Sequence, residues 1–308
     1  MEDVTVVVVA PGQGSQTPGF LEPWLAEPRF ADHLDALADA SGVDLRRHGT
    51  ESDADTIRDT AVAQPLLVAS ALVSFRAVVD DRRGRIAGVA GHSVGEIAAA
   101  AMAGILEEAD AMTLVRERGR AMADAASRVP TGMSAVIGAD QEELLARLEP
   151  LGLSPANFNG GGQVVVAGEL RALAALQQDP PPGARVIPLQ VAGAFHTRFM
   201  TPAVDHLREV ADGIAPTDPA IRIWTNRDGS IVGSGAAFLD LLVGQVASPV
   251  RWDLCMESFA AVGVTGVIEL APAGALVGLA KRGLKGLPTV AVKTPDDIQA
   301  AHDLIDAA

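Results

Sequence analysis

Gly91-His92-Ser93-Val94-Gly95-Glu96 is a G-x-S-x-G run that follows the apolar segment Ile86 to Ala90 and opens the alanine-rich helical segment Ile97 to Ala103. A serine between two glycines, with a strand before it and a helix after it, describes a tight strand-to-helix turn that projects the hydroxyl toward substrate. The helix that begins there aims unpaired N–H groups at the same spot, which suits a transient oxyanion on an attacked carbonyl. Ser93 is therefore a candidate nucleophile, weighed against an accidental Gly-Ser turn.

Outward from that turn the chain alternates strand and helix. Val4 to Ala10 reads as a buried strand, followed by the loop Pro11-Gly12-Gln13-Gly14-Ser15-Gln16 and by helical regions from Pro28 to Leu45 and from Ala63 to Val79. Glu107 to Ala126 reads as a long helix whose acidic start and later Arg116, Arg118 and Arg120 match the macrodipole. This alternation predicts an α/β fold with a mostly parallel sheet. At Pro130-Thr131-Gly132 the pattern changes. Strand Met133 to Ile137, helix Gln141 to Leu148, a short strand near Ala156, strand Val164 to Ala167, helix Leu170 to Gln177 and strand Ala184 to Leu189 give a β-α-β-β-α-β order, that of a ferredoxin-like unit. The expected division is a large domain of residues 1–129 and 191–308 carrying an insert at 130–190. The large domain resumes with a turn at Gly193 to His196 and a helix from about Pro202. Next come strand Ile221 to Thr225, helices Ala236 to Val246 and Trp252 to Ala261, strand Val264 to Leu270, helix Ala275 to Lys281 and strand Thr289 to Val292.

With 308 residues, 48% of them hydrophobic, the chain can bury a large core without staples. No run of about 18 uninterrupted apolar residues occurs, and Val4 to Ala10 is too short, and preceded by acid rather than base, for a signal peptide. A cytoplasmic protein is the expectation. The single Cys255 excludes an intramolecular disulfide and a multi-cysteine metal site, and Trp252 to Met256 around it suggest a buried helical thiol. A formal charge of -15 argues against nucleic acid or an anionic membrane as the main partner. The only lysines are Lys281, Lys285 and Lys293, and the first two lie with Arg282 in one short segment. Its plain explanation is a solvated helix end, where cations favour the dipole.

A serine hydroxyl needs a base. His33 and His48 lie in polar surroundings, His92 adjoins the serine but leaves the turn on another side, and His206 sits among Asp205, Arg208 and Glu209 on a solvent-facing helix. His196, after the small-residue turn Gly193-Ala194-Phe195, can point into a cleft between domains. His302 lies late in the chain, where α/β-hydrolases place their histidine. A hydrolase would use His302 and a transferase His196; a histidine merely satisfied in its turn is the third alternative.

Four ordered motifs bear on the choice: Val8-Val9-Ala10-Pro11-Gly12-Gln13-Gly14-Ser15-Gln16, Gly91 to Glu96, Arg118-Gly119, and Gly193-Ala194-Phe195-His196-Thr197. Together they resemble the malonyl-CoA:acyl carrier protein transacylases of type II fatty acid synthesis and the related acyltransferase domains of polyketide synthases, over about Val4 to Val292. The resemblance implies a hydrolase-like large domain with an inserted ferredoxin-like subdomain, and a serine–histidine dyad of Ser93 and His196. It implies that the Gln245 carbonyl orients the histidine and that the Gln13 and Val94 N–H groups form the oxyanion hole. The N-terminal loop lacks the lysine of a phosphate-binding P-loop. Arg118 matches the family's malonate-binding arginine, and a planar two-pronged donor suits a free carboxylate. A lone helix arginine would otherwise pair with Glu117 or solvent. Gln64, Met122, Asn157 and Asn159 resemble pocket-lining residues, and Phe195 fills a slot where malonyl-selective relatives carry Phe. Gly193 departs from the histidine of many polyketide malonyl domains. Lys281 and Arg282 resemble basic residues that dock an acidic carrier protein, an effect on encounter and orientation more than on affinity.

The implied activity is transfer of malonyl from malonyl-CoA to the phosphopantetheine thiol of acyl carrier protein through a seryl ester. No metal or other cofactor is expected, and a monomer is. The alternatives are a discrete polyketide acyltransferase, a serine hydrolase using His302, and a non-catalytic carrier-binding module.

Overall fold

The structure is a computed structural model that describes residues 5–307, so the expected strand start at Val4 lies outside the described residues. In chain order its strands are β1 (Thr5–Ala10), β2 (Ile86–Gly91), β3 (Thr131–Ile137), β4 (Ser154–Gly160), β5 (Gln163–Glu169), β6 (Arg185–Pro188), β7 (Val250–Arg251), β8 (Val264–Glu269) and β9 (Thr289–Ala291). Val6 to Val9 have no exposed surface. A valine run buried on both faces is what a central parallel strand requires. Accordingly β1 pairs in parallel with β2 on one side and β8 on the other, in a four-stranded sheet of order β2-β1-β8-β9. Ala10 and Gly91 are register partners at the carboxyl ends of β1 and β2. The glycine-rich loop and the serine turn therefore leave the sheet side by side, at the end where open α/β sheets hold their ligands.

The helix Thr60–Val79 fills the middle of the core. By length and composition it is apolar enough to cross a membrane, yet 89% of its most apolar window is buried inside the protein. It is the core helix of this fold. The helix Glu108–Ser127 packs on it, and Gly119 allows the close approach: a Cβ there would stand 2.9 Å from the Thr60 carbonyl oxygen. The helical region expected from Pro28 to Leu45 is interrupted at Gly42, whose left-handed φ of 65° ends Pro28–Ser41 before Leu45–Thr50 begins. A last helix, Ile298–Asp306, was not expected from the sequence and packs Ala301 and Ile305 into the core.

The second sheet has the order β6-β3-β5-β4-β7. Its first four strands pair antiparallel, and with the helices Gln141–Leu151 and Leu170–Gln178 they make the ferredoxin-like arrangement. Strand β7 was missed because it is only two residues long. It joins from outside the insert, pairing Val250 with Asn157 and Arg251 with Phe158 in parallel. The strand expected from Ile221 to Thr225 is instead a single bridge of Ile223 to Val89 beside β2, with Trp224 bridged to Ile231. The segment meets the sheet edge only where Arg222 and Trp224 exchange hydrogen bonds with Val89.

Gly95 sits where the serine turn meets β1, and a Cβ on it would fall 2.3 Å from the Ala10 carbonyl oxygen. Backbone on both sides cannot yield cheaply. Gly95→Ala should therefore cost about 1–3 kcal/mol by overpacking, seen as a fall of several degrees in the thermal midpoint. An unchanged midpoint would mean that the turn and β1 are not locked together.

Candidate active site

Ser93 has φ 54°, a left-handed conformation rare for a residue with a side chain. Strain of this kind persists only where the surroundings over-determine it. Here Asn226 does so: its Oδ1 accepts from the Ser93 N–H at 2.7 Å while its Nδ2 donates to the Gly91 carbonyl at 2.7 Å. One amide thus clamps both sides of the turn, and its own backbone N–H donates to Glu96 Oε1 at 2.6 Å. Sequence reasoning missed Asn226, whose Thr225-Asn226-Arg227-Asp228-Gly229 setting reads as an ordinary turn. The neighbouring His92 points away from the hydroxyl, hydrogen-bonded through Nε2 to Asn159 Oδ1 at 2.9 Å and packed edge-on to Trp252.

His196 is the second left-handed residue of the site, at φ 60°. Its N–H donates to the Val246 carbonyl at 3.0 Å, and the preceding turn is pinned by Ala194 N–H on Thr131 Oγ1 and Thr197 Oγ1 on the Ala194 carbonyl. Gly193 has no room for a histidine, because a Cβ there would lie 2.5 Å from that of Ala126. The Gln245 carbonyl stands 2.9 Å from His196 Nδ1 and can only accept, so Nδ1 carries the proton. That leaves Nε2 free to accept from Ser93 Oγ, 2.6 Å away. Burial first, and then the charge of Arg118, push the imidazole pKa down to about 3.

Arg118 is 2% exposed. Its Nη1 donates to Gln64 Oε1 at 2.7 Å and its Nη2 to Gln245 Oε1 at 2.8 Å, with Ser93 Oγ at 3.5 Å from the same Nη2. Among the described residues no carboxylate forms an ion pair with it; Glu117, the alternative partner, is taken by Arg116, Arg120 and His206 on the outer face of the helix. Burial lowers the guanidinium pKa to about 10, opposed by the nearby charge of Glu96. The arginine reaches inward because Gly119 brings its helix against Thr60, one turn from Gln64.

Ser93 and His196 open into a cavity of about 700 Å³, also lined by Gln13, Gln64, Val94, Met122, Asn157, Asn159 and Phe195. Among the described residues the N–H groups of Gln13 and Val94 have no protein acceptor. Arg282 lies at the mouth, whereas Lys281 is exposed and outside the lining. Their helix, Ala275–Gly283, is fixed at its start by the buried Glu269, whose carboxylate accepts from the N–H groups of Gly274, Leu276 and Val277. His302 is absent from the cavity lining and bonds the Ala77 carbonyl at 3.1 Å. Cys255 is buried, bonded to the Thr225 carbonyl at 3.4 Å and behind the Asn226 clamp.

A strained serine paired with a neutral histidine at a strand-to-helix turn is an arrangement suited to nucleophilic catalysis. The comparisons give it a family. A family model described as "Acyl transferase domain" matches residues 7–300. The malonyl CoA-acyl carrier protein transacylase of Mycobacterium tuberculosis is 50% identical over 303 residues, covering 97% of this chain and 100% of the relative. The crystal structure of MCAT from Mycobacterium tuberculosis superposes with a TM-score of 0.93 at 49% identity, over 97% of this chain and 99% of that one. A malonyl-transacylase solved in complex with its type II polyketide synthase acyl-carrier protein gives 0.91 at 32% identity, over 97% and 99% of the two chains. The chain belongs to the acyl transferase domain family, among the malonyl CoA-acyl carrier protein transacylases.

The depressed pKa of His196 makes a prediction about pH. A histidine titrating at its ordinary value of about 6.5 would lose roughly thirtyfold of its base form by about pH 5. One held near 3 loses almost none. Specificity-constant profiles report the free enzyme's groups, so kcat/KM for Ser93 acylation should stay level from about pH 7 to about pH 5. A fall through an apparent pKa near 6.5 would show that water reaches the imidazole.

Proposed function

We propose that this chain transfers a malonyl group from malonyl-CoA to the phosphopantetheine thiol of an acyl carrier protein, through an ester on Ser93. The observation that carries this reading is the position of the Arg118 guanidinium, 3.5 Å from the Ser93 hydroxyl and, among the described residues, without an ion-paired carboxylate. A cation that close to the nucleophilic hydroxyl suits an acyl group that ends in a carboxylate.

In the first half-reaction Ser93 Oγ attacks the thioester carbonyl as its proton passes to His196 Nε2, and Gln245 O stabilises the imidazolium through Nδ1–H. The oxyanion is held by the N–H groups of Gln13 and Val94. Collapse expels the CoA thiolate, which takes the proton from His196. In the second half-reaction the carrier thiol gives its proton to His196 and attacks the ester, and Ser93 leaves with that proton. Gln64 steadies Arg118, Phe195 and Met122 shape the acyl pocket, and Asn157 and Asn159 line the thioester path. Anchoring by Arg118 helps the ester wait for a thiol where water is scarce. Protein groups carry every step, so no metal or redox cofactor enters the scheme. Residues 1–129 and 191–308 act as the catalytic unit and 130–190 as an inserted subdomain, in a cytoplasmic monomer. A carrier of polyketide assembly would use the same chemistry.

Intact-mass analysis tests the scheme directly. Incubation with malonyl-CoA should add one malonyl group, and holo acyl carrier protein should then remove it. Ser93→Ala should show no adduct, and His196→Ala should slow transfer by a factor on the order of 10² to 10⁴. His302→Ala should behave as the unaltered chain. Hydrolysis of the adduct as fast as the carrier removes it would point to a hydrolase.

Lys281 and Arg282 are assigned to carrier docking. Reversing both to Glu should slow the second half-reaction and spare acylation of Ser93 by malonyl-CoA. The gap should narrow at high salt, since exposed charges are screened over about 8–10 Å at moderate ionic strength. Equal losses in both halves would remove the docking role.

A further inference from the structure

Glu96 and Glu269 are the buried carboxylates among the described residues. Glu269 is explained by the helix it caps. Glu96 has no such duty. It is 1% exposed, one residue past the serine turn, and its Oε1 accepts from the Asn226 N–H at 2.6 Å. Its Oε2 accepts from the side-chain Nε2 of Gln245. The same Nε2 donates to the Ser93 carbonyl at 3.0 Å, while the Oε1 of that amide accepts from Arg118 Nη2 at 2.8 Å.

A glutamine amide can turn end for end at almost no steric cost, so its orientation is decided by its neighbours. Turned over, Gln245 would set an NH₂ group against the guanidinium and an oxygen against two acceptors, the Ser93 carbonyl and Glu96. Glu96 is suited to the lock because it must accept twice, from Asn226 with one oxygen and from Gln245 with the other. Glutamine in its place has a single acceptor oxygen. Burial keeps water from substituting for either bond, and it also pushes the Glu96 pKa up to about 8, so the doubly accepting carboxylate is the prevailing form above that pH.

We infer that Glu96 is a positioning residue for acyl selectivity: its carboxylate fixes the Gln245 side-chain amide, and the fixed amide aims the Arg118 guanidinium at the acyl group carried by Ser93. The inference rests on the reading of Arg118 as the anchor of the acyl carboxylate. Gln245 then serves the site twice, its backbone carbonyl orienting the base and its side chain orienting the selectivity cation. Glu96 couples that second function to the turn that holds the nucleophile.

The test compares specificity constants for Ser93 acylation by malonyl-CoA and by acetyl-CoA, which lacks the carboxylate, on one preparation of each variant and at a pH above about 8, where Glu96 is ionised. The ratio cancels any unfolded fraction. Arg118→Ala should lower the malonyl-to-acetyl ratio. Glu96→Gln should lower it about tenfold, the reach of one misplaced charge-assisted hydrogen bond, with a raised KM for malonyl-CoA carrying most of the change. Gln245→Leu, which keeps the backbone carbonyl and removes the amide, should lower the ratio similarly, and Glu96→Gln should have no further effect on it in the Arg118→Ala background. A ratio unmoved by Arg118→Ala would overturn the anchor reading itself. With that reading intact, equal losses for both substrates in Glu96→Gln would make Glu96 a structural residue, and a ratio unmoved in Gln245→Leu would break the path through the amide.

Discussion

Everything in the site is arranged around keeping Ser93 in a left-handed conformation. A side chain at φ 54° is strained by itself, on the order of 1–3 kcal/mol, and the strain is held by bonds from a segment more than a hundred residues away. Asn226 grips the turn from both sides, β1 presses on it through Gly95, and the helix Gly95–Ala103 continues from it into the core. His196, also left-handed, is fixed by main-chain bonds to Val246 and Gln245. Both reacting groups thus stand on backbone that cannot relax without breaking buried hydrogen bonds. The 2.6 Å contact between them follows from the scaffold and asks little reorganisation of the substrate complex.

The second constraint is electrical. Among the described residues Arg118 has no ion-paired carboxylate, a costly state for a buried guanidinium, and two amides recover only part of its lost hydration. An anionic acyl group, as proposed for this site, would supply the missing charge, and its binding would gain what folding left unsatisfied. The same positive charge helps to keep His196 neutral, since a second cation beside Arg118 would be repelled. The arginine that suits the acyl group also keeps the base ready to accept a proton.

Local signals carried the parts of this fold that were legible in the sequence. The valine run of β1, the glycine-flanked Ser93 and the β-α-β-β-α-β order of the second sheet are patterns within a few neighbouring residues, and all three appear in the structure. Ser93 and His196 were legible as candidates, though two histidines stayed open until four motifs were taken together. Asn226 and Glu96 were not, because their roles consist of contacts to chain 130 or more positions distant, which no local pattern encodes. The strand expected at Ile221 to Thr225 failed for a related reason. Only Arg222 and Trp224 bond to the sheet, at Val89, while Ile223 and Thr225 bond instead to Val232 and Ser230 of the following turn.

Strand β7 gives the last link between architecture and chemistry. The helix Gly235–Gln245 ends on the residue whose carbonyl holds His196, and five residues later the chain enters the second sheet beside β4. Asn157, a register partner of β7, lines the cavity from β4. The position of the base is therefore set from both sheets, through a short connection that permits little independent movement. The serine turn is tied to the same strand directly, because His92 beside Ser93 bonds Asn159 of β4 at 2.9 Å, so both members of the serine–histidine pair depend on how the two sheets sit together.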